Sequence, residues 1–136
     1  MRRVWILAAA VFLSAGLALA QDPVKVDAKH YKVEIDNAQV RVLRIHYGPH
    51  EKSVMHAHPA GVAVFLTDNS AKFTFPNGKT EVRSFKAGDA GWTPAETHLP
   101  ENLGDKPLDL ILVELKAKPA AKTPAPAKTP AKKPGK

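Results

Sequence analysis

Between Val24 and Leu115, short apolar runs and turn residues replace one another every few positions, and this rhythm restricts the fold more than any other feature of the chain. Tyr31, Val33 and Ile35 alternate with polar residues, the period of a strand with one buried face. After Asp36-Asn37 comes a run from Val40 to Tyr47, rich in β-branched and aromatic side chains and broken by Gly48-Pro49. Val62 to Thr67 reads as another strand, followed by a turn at Asp68-Asn69-Ser70. Lys72 to Phe75 enters Pro76-Asn77-Gly78, a hairpin signal, and Glu81 to Phe85 returns from it. Lys86-Ala87-Gly88-Asp89 is a further turn, and Leu108 to Leu115 closes the region as a buried strand. No stretch in this region shows a capped helical period over three turns. Short strands at regular spacing predict an all-β sandwich or barrel. Closure of the sheet, or pairing with a second copy, would cover its edges.

Both ends depart from this pattern. Arg2-Arg3 precede an apolar run from Val4 to Ala20 that closes on Ala18-Leu19-Ala20, the shape of a secretory signal removed after residue 20. A membrane-spanning anchor is the alternative for a run of this length. A signal would make the protein periplasmic or secreted. The other end, 117–136, is rich in Lys, Ala and Pro with little apolar bulk, so it is expected to be a disordered, extended tail. It serves either as a solubilising tether or as a contact for anionic surfaces. The organisation read from the sequence is therefore a signal over 1–20, a β-barrel over 21–116 and the tail.

Charge follows the same division. The chain carries +7, but seven lysines lie from Lys116 onward and two arginines in the signal. That leaves 11 basic against 13 acidic residues over 21–115, a net charge of −2. A near-neutral domain argues against a specific nucleic-acid partner. With no cysteine, the fold rests on its core without disulfides, and thiolate chemistry and iron–sulfur clusters are excluded.

Of six histidines, two form His56-Ala57-His58. Residues two apart on a strand share a face, with β-carbons about 6–7 Å apart. Two such imidazoles can converge on one ion at roughly 2.0–2.1 Å, or they can be a polar surface pair. The segment Gly88-Asp89-Ala90-Gly91-Trp92-Thr93-Pro94-Ala95-Glu96-Thr97-His98, with Asn102 beyond it, adds a third histidine. Together these resemble the two motifs of the cupin superfamily, G-x5-H-x-H-x(3,4)-E-x6-G and G-x5-P-x-G-x2-H-x3-N. The likeness covers about residues 25–116 and is closest to small single-domain cupins of the conserved-barrel type.

That resemblance implies a jelly-roll β-barrel, commonly a homodimer, with a divalent transition metal held by His56, His58 and His98. Iron, zinc, nickel, copper and manganese all accept such nitrogen ligands. The chain departs from the pattern in several places. Glu96 stands where the second motif has glycine, and the loop from Pro94 to His98 is one residue short. His50 occupies the first motif's glycine position and is a weak fourth ligand candidate or a plain loop residue. The motif glutamate would fall at Val62 or Ala63, so the usual site is reduced to three histidines. A three-histidine site occurs among cupin dioxygenases. It leaves positions open and the ion's charge uncompensated, which favours an anionic small-molecule substrate or a bound hydroxide.

Glu96 and Glu101 flank His98 as candidate outer partners or general bases, or as solvated loop charges. Arg41, Arg44 and Arg83 are candidates for a substrate carboxylate. His30 and His46 carry no functional signal. Phe65, Phe73, Phe75 and Trp92 read as core and barrel-lining residues, with Phe73 or Trp92 shaping the pocket. Two functions follow. One is a metal-dependent dioxygenase or lyase/isomerase, and the other is a non-catalytic module that holds a metal or small ligand.

Overall fold

A computed structural model describes residues 21–118. The signal expected over 1–20 lies outside the described residues, as does the tail beyond Lys118. The chain opens with one turn of helix, α1 (Pro23–Val26), started by the Asp22 carboxylate accepting from Val24 N at 3.0 Å and by proline at the first helical positions. Nine strands follow: β1 (Tyr31–Asp36), β2 (Val40–Tyr47), β3 (His56–His58), β4 (Gly61–Phe65), β5 (Asn69–Thr74), β6 (Thr80–Phe85), β7 (Ala90–Thr93), β8 (Glu96–Asn102) and β9 (Leu108–Leu115). They form a five-stranded sheet, β1-β2-β9-β4-β7, and a four-stranded sheet, β3-β8-β5-β6, with every pairing antiparallel.

The inner faces of the two sheets make the core from Tyr31, Leu43, Ile45, Tyr47, Ala63, Ala71, Leu108 and Leu112. Strand period sets this face: in β9, Leu108, Leu110 and Leu112 point inward while Asp109, Ile111 and Val113 point out. Gly61 is needed where β4 meets β9, since a β-carbon there would lie 2.2 Å from the Val113 carbonyl oxygen. The Pro76-Asn77-Gly78 hairpin joins β5 and β6 as expected, with Gly78 at φ 79°.

Three local expectations are corrected. Asn69 and Ser70 belong to β5, not to a turn. The alternation of Tyr31, Val33 and Ile35 does not put all three on one face. A register shift between Val33 and Ile35 pairs Val33 with Leu43 but Ile35 with Val42, so Ile35 turns outward and is 52 % exposed. Trp92, expected in the core and barrel lining, borders the cavity but is not core: it is 62 % exposed, because β7 pairs it with outward-facing Val62.

Candidate metal centre

Strands β3 and β8 bring the three motif histidines together. His56 and His58 lie two apart on β3 and point the same way, and the direct cross-strand partner of His56 is His98. The three imidazole centroids lie 4.8 to 5.5 Å apart, and one ligand atom from each falls within 4.8 Å of the others. His56 and His58 are buried and His98 nearly so.

The outer nitrogen of each ring is already bonded. His56 Nδ1 lies 2.8 Å from the Val54 carbonyl oxygen, His58 Nδ1 2.6 Å from Glu114 Oε1, and His98 Nδ1 2.6 Å from Glu96 Oε1. A carbonyl and two carboxylates only accept, so each Nδ1 carries the proton and donates it. Each Nε2 therefore presents its lone pair to the common centre, and those of His56 and His58 stand 3.1 Å apart. Tyr31 Oη lies 2.9 Å from His56 Nε2 and 2.5 Å from Tyr47 Oη. With the His56 lone pair as acceptor, the protons run one way: Tyr47 donates to Tyr31, and Tyr31 donates to His56.

A second layer holds the carboxylates. Glu114, fully buried, also accepts from Arg41 Nε at 2.6 Å, and Arg41 Nη1 donates to Asp22 at 2.8 Å. Glu96 accepts from Arg83 at 3.3 to 3.4 Å, and Arg83 also donates to Glu81 and lies 4.5 Å over the Phe73 ring. Burial, reinforced by the neighbouring His58, pushes the His56 imidazole down to about 4, and burial lowers His98 as well. Burial pushes Glu114 and Glu96 upward. The bonds from His58 and Arg41, and from His98 and Arg83, outweigh it and leave both carboxyls below their ordinary value. The phenols of Tyr31 and Tyr47 are raised, chiefly by burial.

His58 and His98 border a cavity of about 470 Å³ between the sheets, lined by Ile45, Phe65, Phe73, Phe85, Leu110 and Arg83 among others. Phe65 and Phe85 stack there at 3.8 Å, and Phe73 packs on His98. Phe73 thus shapes the pocket as expected.

The remaining candidates lie elsewhere or in other roles. His50 is exposed, at φ 58°, with Nε2 on Asp105, and stands outside the histidine cluster. Glu101 faces outward in an ion pair with Lys72. Glu96 is not a solvated charge but the partner of His98. Arg44 pairs with Glu34 on the outside. His46 is exposed beside Asp109. His30, read as featureless, is buried on Tyr47 with its two nitrogens on Asp27 and Glu51. Of the motif-glutamate positions, Ala63 is a small cavity-lining residue and Val62 faces out.

Glu114, Tyr31 and Tyr47 are site residues that motif reasoning missed. Strand phase carried the signal for Glu114, since Leu108, Leu110 and Leu112 in register put Glu114 inside.

No family model matches the chain, and no curated protein matches it. Solved structures do. A cupin domain from Bordetella pertussis Tohama I superposes with a TM-score of 0.60 at 25 % identity, over 64 % of this chain and 92 % of that one. A conserved protein with a double-stranded β-helix domain from Klebsiella pneumoniae gives 0.51 at 24 % identity, over 62 % and 74 %. An RmlC-like cupin family protein from Methanocaldococcus jannaschii gives 0.50 at 18 % identity, over 65 % and 83 %. With two antiparallel sheets closed over one core and the three motif histidines brought together at its edge, the described domain has the fold of a small cupin.

Proposed function

We propose that this cupin holds one divalent transition metal on Nε2 of His56, His58 and His98 and presents its open positions to a small molecule in the adjoining cavity. The observation that carries the reading is three inward lone pairs whose opposite ring protons are all committed outward. Two nitrogens bound to one ion at about 2.1 Å with tetrahedral or octahedral angles lie roughly 3.0–3.4 Å apart. His56 and His58 show 3.1 Å. Lone pairs at that distance repel, the Tyr31 proton meets only that of His56, and a cation relieves all three. Iron, zinc, nickel, copper and manganese all suit such a set, and the donor chemistry favours none of them.

The charge argument changes with Glu96 and Glu114. Two carboxylates, each one imidazole removed from the centre, balance an ion that three neutral ligands leave uncompensated, so an anionic ligand is no longer required by charge alone. Open positions beside a cavity suit a metal-dependent dioxygenase or lyase/isomerase. A second reading, a binding module without turnover, is favoured by the commitments of the acids. Glu96 serves His98 and Arg83, and Asp89 at the cavity wall accepts from Lys86 N. Among the described cavity-lining residues no carboxylate stands free for proton transfer. Export to the periplasm or exterior, with two barrels paired through the outer face of the five-stranded sheet, completes the proposal.

The test is metal content by mass spectrometry of untagged protein beside a His56→Ala/His98→Ala variant. The expected result is about one equivalent in the first and none in the second. Equal metal in both, with the variant folded, overturns the assignment. Oxygen consumption or product formation separates the enzyme from the module, which would show ligand-dependent stabilisation alone.

A further inference from the structure

Resting on the metal reading above, we infer that the cavity takes an oxygen-headed molecule with an apolar body, of the aryl or alkyl monocarboxylate class rather than a compact dicarboxylate, and that Tyr31 holds its head. Three observations converge on this. The first is the wall. Phe65, Phe73, Phe85 and Leu110 face the interior yet are only partly buried, because one side of each borders the cavity. Apolar surface held open inside a barrel gains free energy when an apolar body covers it.

The second is the supply of charge. Among the described residues the cavity lining contains one cation, Arg83, and it is bonded to Glu81 and Glu96 with its face over Phe73. Arg41 is likewise committed to Glu114 and Asp22. One carboxylate can bind at the metal. A second, carried into the apolar end, would be buried with no free cation beside it and at most the unpaired Thr93 hydroxyl to donate to it.

The third is the direction of the protons. Tyr31 accepts from Tyr47 and donates to the His56 lone pair. An ion on that lone pair removes the acceptor, and Tyr47 already occupies the Tyr31 oxygen as donor. The Tyr31 proton then turns to the nearest oxygen on the ion, which is the head of the ligand. Tyr31 thus selects an oxygen head, and the aromatic and aliphatic wall selects the body.

Cobalt(II)-loaded protein tests this, since its visible bands report both metal uptake and displacement of solvent by a ligand. Acetate, butyrate, hexanoate and benzoate are titrated beside oxalate and malonate. Affinity is expected to rise by about threefold to fourfold per methylene from acetate to hexanoate. Benzoate is expected to bind more than tenfold tighter than either dicarboxylate. Tyr31→Phe should keep its cobalt and weaken benzoate by about tenfold, whereas Tyr47→Phe should change it by less than about threefold. A flat series, or tighter oxalate, overturns the ligand class while leaving the metal site standing, and unchanged benzoate affinity in Tyr31→Phe overturns the role of Tyr31. Absence of cobalt bands in the unmodified protein overturns the metal reading and this inference with it. Should Tyr31→Phe not fold, the ligand series alone decides the ligand class, and an effect of Tyr47→Phe as large as tenfold overturns the proton order.

Discussion

Glu114 shows how much a single side chain can decide without touching the centre. Its carboxylate orients the His58 ring and fixes its tautomer, and Arg41 holds the carboxylate in turn. Outer partners of this kind are worth about tenfold to a hundredfold in metal affinity. Glu114→Gln is therefore expected to lower affinity by that factor, read by competition with a chromophoric chelator, with the far-ultraviolet spectrum unchanged. Full affinity in that variant would show that His58 needs no such support.

His56 supports a prediction about pH. Its folded value of about 4 lies below the ordinary histidine value of 6.5, so the unfolded chain binds more protons between the two. The metal-free domain is thus most stable above pH 6.5 and loses stability as pH falls toward 4. Thermal melts across this window should show the decline, and His56→Gln should flatten it. An equal slope in both proteins would assign the effect to other groups.

At the scale of elements, the rhythm of short runs located β1, β2, β4, β6 and β9 and the β5–β6 hairpin. It passed over β3, β7 and β8. The reason is physical: β3 has three residues, β7 contains Gly91, and β8 carries two acids and Pro100, all poor strand signals taken alone. These strands are held by their neighbours and not by propensity, and two of them carry the histidines. The family motif therefore found ligands that periodicity could not. Periodicity in turn held Glu114, which the motif does not contain, and the Val33/Ile35 shift could be read from neither, because a bulge leaves no mark in alternation.

Gly61 gives the element-scale test. A β-carbon there meets the Val113 carbonyl, a backbone atom that cannot rotate away, so Gly61→Ala must part β4 from β9. Destabilisation of about 1–3 kcal/mol is expected from denaturant melts. A neutral result would mean the two strands can separate without cost.

For the whole molecule, strand pairing lines up Ile35, Val42, Val113, Val62 and Trp92 across the outer face of the five-stranded sheet. An apolar row ending in two exposed large side chains is a poor face to leave in water. We expect sedimentation to show a dimer that Ile35→Lys/Trp92→Lys converts to monomers with metal content unchanged. A monomer before substitution would end that proposal.

The start of the described chain belongs to this scale too. Gln21 accepts a hydrogen bond from Ala57 N, between the two β3 histidines, and Asp22 ends the series that runs through Arg41 and Glu114 to His58. Removing these two residues, or substituting Asp22, thus disturbs from a distance the partners that orient His58. A purification handle or fusion partner joined at Gln21 is not an inert addition, and a protein trimmed back to Pro23 would report on a differently tuned centre.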